Sequence, residues 1–231
     1  MKVVSVKRCV SDVAIPVYDA TSPKHHNLTL ANGCVVHNTA KKARDPSTQE
    51  VLKLTGKIAN AGKRKLAELM QSKAIQDILT CIGYNFDAHK NEKAEHKLRV
   101  KAIYLLPDAD VDGSHIRVLL LTLIHKLMPE LIAEGKVHYI DAPLFSAYYK
   151  GVRYYGDSLA AVQKKLPKGC KAQVMRSKGW GEISHEMLAE VAFNPKTRRA
   201  VTVTPVKGKA LQHFEALVGS ETLARKELLG L

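Results

Sequence analysis

A chain of 231 residues with 45% hydrophobic content can bury the core of one or two modest domains. Its longest apolar stretch, residues 118–128, is interrupted by Thr122, His125 and Lys126, so no run spans a bilayer, and no signal-peptide pattern opens the chain. The net charge of +14 favours a polyanionic partner, nucleic acid before a membrane surface, and four scattered cysteines (Cys9, Cys34, Cys81, Cys170) without a C-x-x-C argue against a zinc cluster or disulfide framework and fit a reducing cytoplasm.

Residues 1–38 read as short β-like runs at 2–10, 14–18, 28–30 and 34–36, separated by turn chemistry at Ser22-Pro23 and by the hairpin signal Asn32-Gly33. Val17-Tyr18-Asp19-Ala20-Thr21, His25-His26-Asn27-Leu28, and the run from Leu30 through His37-Asn38-Thr39 together resemble the C-terminal end of an intein, both family blocks standing at their usual separation. The residue types suit that chemistry. The side-chain amide of Asn38 can attack its own peptide carbonyl, closing a succinimide and cutting the chain. His37 can protonate or polarise that bond, and Thr39 supplies the hydroxyl nucleophile for transesterification. The resemblance further implies that His26 assists branch resolution and that Asp19 aids acyl transfer, with Cys34 a packed strand residue. It implies a split intein whose C-terminal piece begins at Met1. The rival reading is an ordinary small β-hairpin module, or a fragment whose upstream part was lost.

From residue 39 the chain reads helix-rich and charged. Leu66, Leu69 and Met70, then Ile75, Ile78, Leu79 and Ile82, recur at three- and four-residue spacing and predict two amphipathic helices with core-facing stripes, Ser72 capping the second. Residues 86–99 are polar, either a loop into the next strand or a DNA-facing edge. An apolar strand is expected over 100–106, a buried helix over 116–128 with Ser114 as its N-cap and Gly113 as a sharp turn, and a further helix between Pro129 and Gly135. A strand over 137–140 completes a βαβ crossover and predicts a parallel sheet.

Between the first strand and its helix stand Asp108, Asp110 and Asp112. Spacing of two would point all three carboxylates the same way in extended backbone, and three like charges on one face repel unless a cation neutralises them. Carboxylate oxygens suit Mg²⁺ or Ca²⁺, with Mg²⁺ usual where phosphates are handled, and strand C-termini are where α/β folds place sites. A solvated acidic turn is the plain alternative; an EF-hand fits poorly because the glycine comes too early and no glutamate closes the loop. His115 and Arg117, just inside the helix, could meet phosphate oxygens, or Arg117 could pair with one of the aspartates.

The run from Asp108 to Arg117, D-A-D-V-D-G-S-H-I-R, resembles the TOPRIM signature of the B-type chains of type II DNA topoisomerases: gyrase B, topoisomerase IV B and phage large subunits. Pro107 stands where that family has Thr. Thr39-Ala40 resembles the end of the family's E-G-D-S-A, whose catalytic Glu would lie upstream and be restored as E-G-D-T-A by splicing. Leu52 to Asn60 resembles P-L-R-G-K-I-L-N, which implies DNA contacts by Lys57 and Asn60, with Thr55 replacing the Arg and Gly56 allowing close backbone approach. On its own residues this stretch reads better as a basic loop without a ligand. Pro143-Leu144-Phe145 resembles P-P-L-Y. After Tyr154-Tyr155 and a helix over 158–166, the segment from Arg176 to Glu182 resembles Y-K-G-L-G-E through Lys178, Gly179, Gly181 and Glu182, with Ser177 and Trp180 replacing Tyr and Leu. Asn194 to Arg199 resembles D-P-x-T-R-R, and the last helix, 210–218 with Gly219, resembles F-x-x-L-M-G.

The expected fold is therefore α/β: a TOPRIM-type parallel sheet with flanking helices over 39–153, lacking its N-terminal Glu motif, preceded by a small β intein (HINT) fragment at 1–38 and followed by an α+β tail at 154–231. The resemblance implies part of an ATP-dependent type II topoisomerase, an isomerase, made as a trans-splicing precursor. His26, His37, Asn38 and Thr39 would splice. Asp108, Asp110 and Asp112 would hold Mg²⁺, with Mn²⁺ or Ca²⁺ as substitutes, and His115 would act beside them. Lys57, Asn60, Arg117 and Lys178 would contact DNA. ATP would enter only through the missing N-terminal ATPase region. Implied partners are DNA, the chain carrying the N-terminal intein half and ATPase, and an A-type subunit with the nucleophilic Tyr; no membrane is implied, and the setting is the cytoplasm of a bacterium or a phage-infected host. Rival functions are another TOPRIM nuclease or primase, or an inactive basic DNA-binding fragment.

Overall fold

The structure is a computed structural model that describes residues 39–84, 98–177 and 179–230, together with the backbone of 27–29 and 35–37. The chain divides into two compact units, Met1–Asn38 and Thr39–Leu231. In the first, β1 (Asn27–Thr29) pairs antiparallel with β2 (Val35–His37), Asn27 opposite His37 and Thr29 opposite Val35. These strands flank the Asn32-Gly33 hairpin signal. The turn itself, Asp19, His26 and Asn38 lie outside the described residues, as does Lys178 of the second unit.

The second unit opens with α1 (Thr39–Ala43), followed after a long irregular stretch by a 3-10 turn (Ala61–Lys63), α2 (Leu66–Leu69) and α3 (Lys73–Ile82). Ile75, Ile78, Leu79 and Ile82 are all buried, the stripe that their spacing predicts. Two expectations here need correction. Leu66 is 48% exposed whereas Leu69 is fully buried, because a single-turn helix turns only one of its leucines inward. Ser72 occupies the N-cap position of α3 without a side-chain cap bond; its backbone carbonyl accepts from Gln76 N–H at 3.0 Å instead.

β3 (Ile103–Leu105), α4 (Val111–Leu127), α5 (Pro129–Ala133) and β4 (Val137–Ile140) form the expected crossover, with β3 and β4 parallel and Ile103 opposite Val137. Pro129 takes the first position of α5, where its missing N–H costs nothing, and Gly135 beyond its end has φ +68°. The sheet is mixed rather than purely parallel: β8 (Ala200–Thr202) joins β4 antiparallel, giving the order β3-β4-β8. A second sheet is an antiparallel three-stranded one, β5 (Phe145–Tyr149) between β6 (Val152–Gly156) and β7 (Val174–Arg176). Residues 153 and 154, between which the sequence reading separates TOPRIM domain from tail, both lie inside β6.

Ser158 caps α6 (Leu159–Lys165) by accepting from Ala161 N–H at 3.1 Å. A 3-10 turn (Trp180–Glu182) leads to α7 (His185–Leu188), which continues as one π-helical turn (Ala189–Phe193). The chain then forms α8 (Lys209–Val218) and, beyond the helix expected to be last, α9 (Thr222–Leu229).

The larger core packs α3, α4 and α5 against Leu105 and Val137 of the sheet, and Tyr84 donates its buried hydroxyl to the Leu127 carbonyl at 2.7 Å. The smaller core gathers Ile140, Ile183, Met187, Leu188, Val191 and Phe193, with Tyr104, Leu106 and Trp180 against it. Leu123, fully buried at the centre of α4, has no room to be lost cheaply. We expect Leu123→Ala to lower unfolding stability by about 3–4 kcal/mol in urea titrations, through lost transfer energy plus the cavity left behind. Leu223→Ala, at a residue 74% exposed, should stay within about 0.5 kcal/mol.

Candidate functional site

The three aspartates lie where β3 gives way to α4. β3 ends at Leu105, and the backbone turns helical at Val111, so the period-two alignment expected of an extended strand does not arise. Each carboxylate instead has its own partner. Asp108 Oδ1 accepts from the backbone N–H of Trp180 at 3.0 Å. Asp110 is the N-cap of α4: its backbone is extended, and its Oδ1 accepts from Gly113 N–H at 2.7 Å. Asp112, in the first helical turn with its side chain 76% exposed, accepts from Lys57 Nζ at 2.8 Å.

The cap is therefore Asp110 and not Ser114, whose own N–H donates to the Asp110 carbonyl at 3.0 Å within the first turn. A carboxylate there satisfies an orphan amide and also meets the positive end of the helix dipole. Gly113 is not a turn residue either. It lies inside α4, and a Cβ built on it would stand 2.1 Å from the Asp108 carbonyl oxygen. Glycine is required by the close approach of the Asp108 backbone. Gly56 is the converse case, with φ +73° and open space around it, so that conformation and not room selects glycine.

Lys57 holds the Asp112 carboxyl below the usual carboxylate range, first through its hydrogen bond and then through its charge; slight desolvation opposes this, and His115 adds a small favourable charge. A depressed carboxylate contributes stability above its unfolded pKa and loses it as pH falls through the folded value. Lys57→Met should therefore raise the Asp112 titration midpoint toward the ordinary value in carbonyl NMR, with little change in stability at neutral pH because the pair is exposed.

The loop bearing Lys57 is tied down behind it. Lys126 Nζ donates to the carbonyls of Ala61 and Arg64, each at 2.7 Å. Asn60 accepts from Gly62 N–H at 2.9 Å and donates to the Val218 carbonyl at 2.9 Å. Both ends of the Asn60 amide thus have a partner within the protein. The Arg117 guanidinium lies over the Tyr139 ring, 4.6 Å from the centroid. His115 is exposed one turn into α4.

Other side chains at this end of the sheet escaped the sequence reading. Arg198 lies 4.0 Å over the Tyr104 ring and bonds its hydroxyl; Tyr104 stacks on His138 at 4.7 Å, and His138 Nδ1 stands 3.1 Å from Thr202 Oγ1. Burial, then the Arg198 charge, lowers the His138 pKa. Arg199 pairs with Asp141 and, at 3.7 Å, with Asp157. The T-R-R run signals arginines here, but only the fold shows what they hold. Trp180 also donates its indole N–H to the Pro107 carbonyl at 2.9 Å.

The donor chemistry fits a hard divalent cation: three carboxylates within five residues, each bonded through a single oxygen. As folded they do not form a finished cage, since no group of three or more His, Cys, Asp or Glu side chains gathers in ligating geometry among the described residues. Among those residues, too, no helix is long and apolar enough to cross a membrane.

Residues 36–141 match the Toprim domain family, and residues 169–230 match the carboxyl terminus of the DNA gyrase B chain. The chain thus carries the Toprim-bearing region of a B-type chain of the type II topoisomerases. The chain is 34% identical to the DNA gyrase B chain of Thermotoga maritima over 213 residues, covering 91% of this chain and 33% of that protein. It is 32% identical to the gyrase B of Synechocystis, covering 93% of this chain and 20% of the relative, and 34% identical to the gyrase B of Thermus thermophilus, covering 90% and 33%. The chain spans about a third or less of the length of these relatives. Among solved structures, the DNA-binding, cleavage and re-ligation domain of Plasmodium falciparum topoisomerase II shares the fold, with TM-score 0.61 and 20% identity over 76% of this chain and 24% of that one.

Proposed function

We propose that residues 39–231 are the Mg²⁺-binding cleavage and religation region of an ATP-dependent type II DNA topoisomerase, made as a precursor whose residues 1–38 are the C-terminal half of a split intein. The observation that carries the first part is the placement of Asp108, Asp110 and Asp112 at the β3–α4 junction, on a chain matching gyrase B relatives. These carboxylates would hold Mg²⁺, or Mn²⁺ or Ca²⁺ in its place, completed by the Glu expected upstream. The ion would neutralise charge developing on the scissile phosphate. His115, exposed beside Asp112, and Lys57 would face DNA, together with Lys178. Arg117, set over Tyr139, and Asn60, in the Lys57 loop, would also contact DNA. The nucleophilic Tyr would come from an A-type subunit, and ATP would act through the partner chain, in a bacterial or phage-infected cytoplasm.

The second part is supported by the division of the chain at the Asn38-Thr39 bond and by the β1–β2 hairpin leading to it. His26, His37, Asn38 and Thr39 would perform the splicing steps. One observation favours a different origin for residues 1–38: the alignments with the gyrase B relatives run back past Thr39 into the first unit. In that reading the segment is ordinary gyrase B sequence.

Mixing this chain with one that ends in E-G-D and an N-terminal intein half separates the two. Mass spectrometry should find a ligated product lacking residues 1–38; an unchanged mixture sinks the splicing reading. The ligated chain, given supercoiled DNA and an A-type subunit, should cleave only with Mg²⁺. Cleavage without an A-type subunit would instead indicate a TOPRIM nuclease. DNA retention that weakens with salt and ignores both Mg²⁺ and partner would indicate a basic binding fragment.

A further inference from the structure

We infer that Trp180 is a positioning residue that holds Asp108 ready for its cation, by fastening the Pro107-Asp108 backbone and the Asp108 carboxylate at once. The inference rests on Asp108 being a metal ligand; the fastening itself does not.

Trp180 makes two bonds to one dipeptide that lies 72 residues earlier in the chain: its backbone N–H to Asp108 Oδ1, and its indole N–H to the Pro107 carbonyl. The two bonds have different characters. Asp108 is exposed, so its carboxylate would otherwise sample several rotamers; a charge-assisted bond from a main-chain amide selects one. Pro107 is buried, and a carbonyl there needs a donor that solvent does not readily supply. The indole supplies it. Trp180 can serve because its ring body packs against the smaller core, which leaves the N–H edge for the loop. Gly179 lies beside the carboxylate: a Cβ built on it would stand 3.4 Å from Asp108 Oδ1, an ordinary contact.

Two positions at which the sequence departs from the TOPRIM-topoisomerase pattern, Pro107 and Trp180, thus meet in space. A leucine at 180 would fill part of that apolar space and donate nothing from its side chain. Outer-sphere groups that fix a ligand's rotamer tighten metal binding by removing freedom the ligand would otherwise lose.

Trp180 is the chain's single tryptophan, so it gives one indole N–H signal in a nitrogen-15 NMR spectrum of the full-length protein. On addition of MgCl₂ that signal should move saturably, and Asp108→Ala should abolish the movement. By calorimetry, Trp180→Phe, which keeps the ring and deletes the donor, should weaken Mg²⁺ binding by about tenfold; Trp180→Leu should do the same. Wild-type Mg²⁺ affinity in a folded Trp180→Phe protein, or an indole signal that stands still while magnesium heat saturates, would overturn the inference. If the wild-type chain takes up no magnesium at all, the metal reading of Asp108 fails. The fastening is then judged in the metal-free protein, where Asp108→Ala should speed indole N–H exchange at least about tenfold, and an unchanged rate rejects it.

Discussion

Gly113→Ala should unfold at lower urea concentration than the wild-type chain, by about 3 kcal/mol, and should dislodge Asp108 in whatever population remains folded. A single methyl group at 113 would stand 2.1 Å from the Asp108 carbonyl oxygen and 2.7 Å from the Asp108 carbonyl carbon and nitrogen. Main-chain atoms cannot rotate aside as a flexible side chain can. Either α4 moves as a body, breaking the packing of Leu119, Leu120 and Leu123, or the 107–110 loop is pushed outward, breaking both bonds from Trp180. Overpacking of a well-filled site costs about 1–3 kcal/mol, and rigid backbone puts this case at the upper end. Gly181→Ala is the matched control: no atom lies within 4 Å of its added Cβ and its φ is unexceptional, so stability should not fall. Equal behaviour of the two variants would mean that the 108–113 contact is looser than these distances require.

The second expectation separates structure from chemistry at one residue. Asp110 caps α4 through Oδ1, and it is also one of the three carboxylates assigned to the cation. Asparagine keeps an acceptor oxygen at the same place and is as good a cap, so Asp110→Asn should hold stability to within a few tenths of a kcal/mol, whereas Asp110→Ala should lose about 1 kcal/mol. On the proposed function, Mg²⁺-dependent DNA cleavage by the ligated chain with an A-type subunit should respond differently, falling about a hundredfold or more in both variants. Loss of an inner ligand should exceed the roughly 10–100-fold typical of outer-sphere changes. Full cleavage by Asp110→Asn would remove this residue from the metal site. Full cleavage by Asp110→Ala would show in addition that the cap does not matter to the chemistry.

The crossover was legible because its signals are local: an apolar β-like run, a long apolar helix, Pro129 at a first turn and Gly135 past a last one. Each acts within a few residues, so sequence order suffices to place it. The acidic cluster was legible in position and not in geometry. Asp110 and Ser114 are both good caps, and only the packed backbone of Asp108 against Gly113 decides that the helix starts at Val111. β8 is three exposed residues with no alternation to betray it, and it is a strand because β4 offers an edge. Arg117 on Tyr139, Arg198 on Tyr104 and Asn60 on Val218 are tertiary choices between residues far apart in the chain. A motif names such residues without saying whether they face a ligand or their own fold.

The clamp of Asn60 on the Val218 carbonyl joins groups 158 residues apart, and a Cβ on Gly62 would collide with the same carbonyl at 2.7 Å. During synthesis the stretch presenting Lys57 leaves the ribosome early and stays unanchored on that side until the end of α8 has emerged. A polypeptide ending before α8 would carry all three aspartates and the Lys126 anchor but lack this second one. The end of α8 is thereby part of what seats the Lys57 loop.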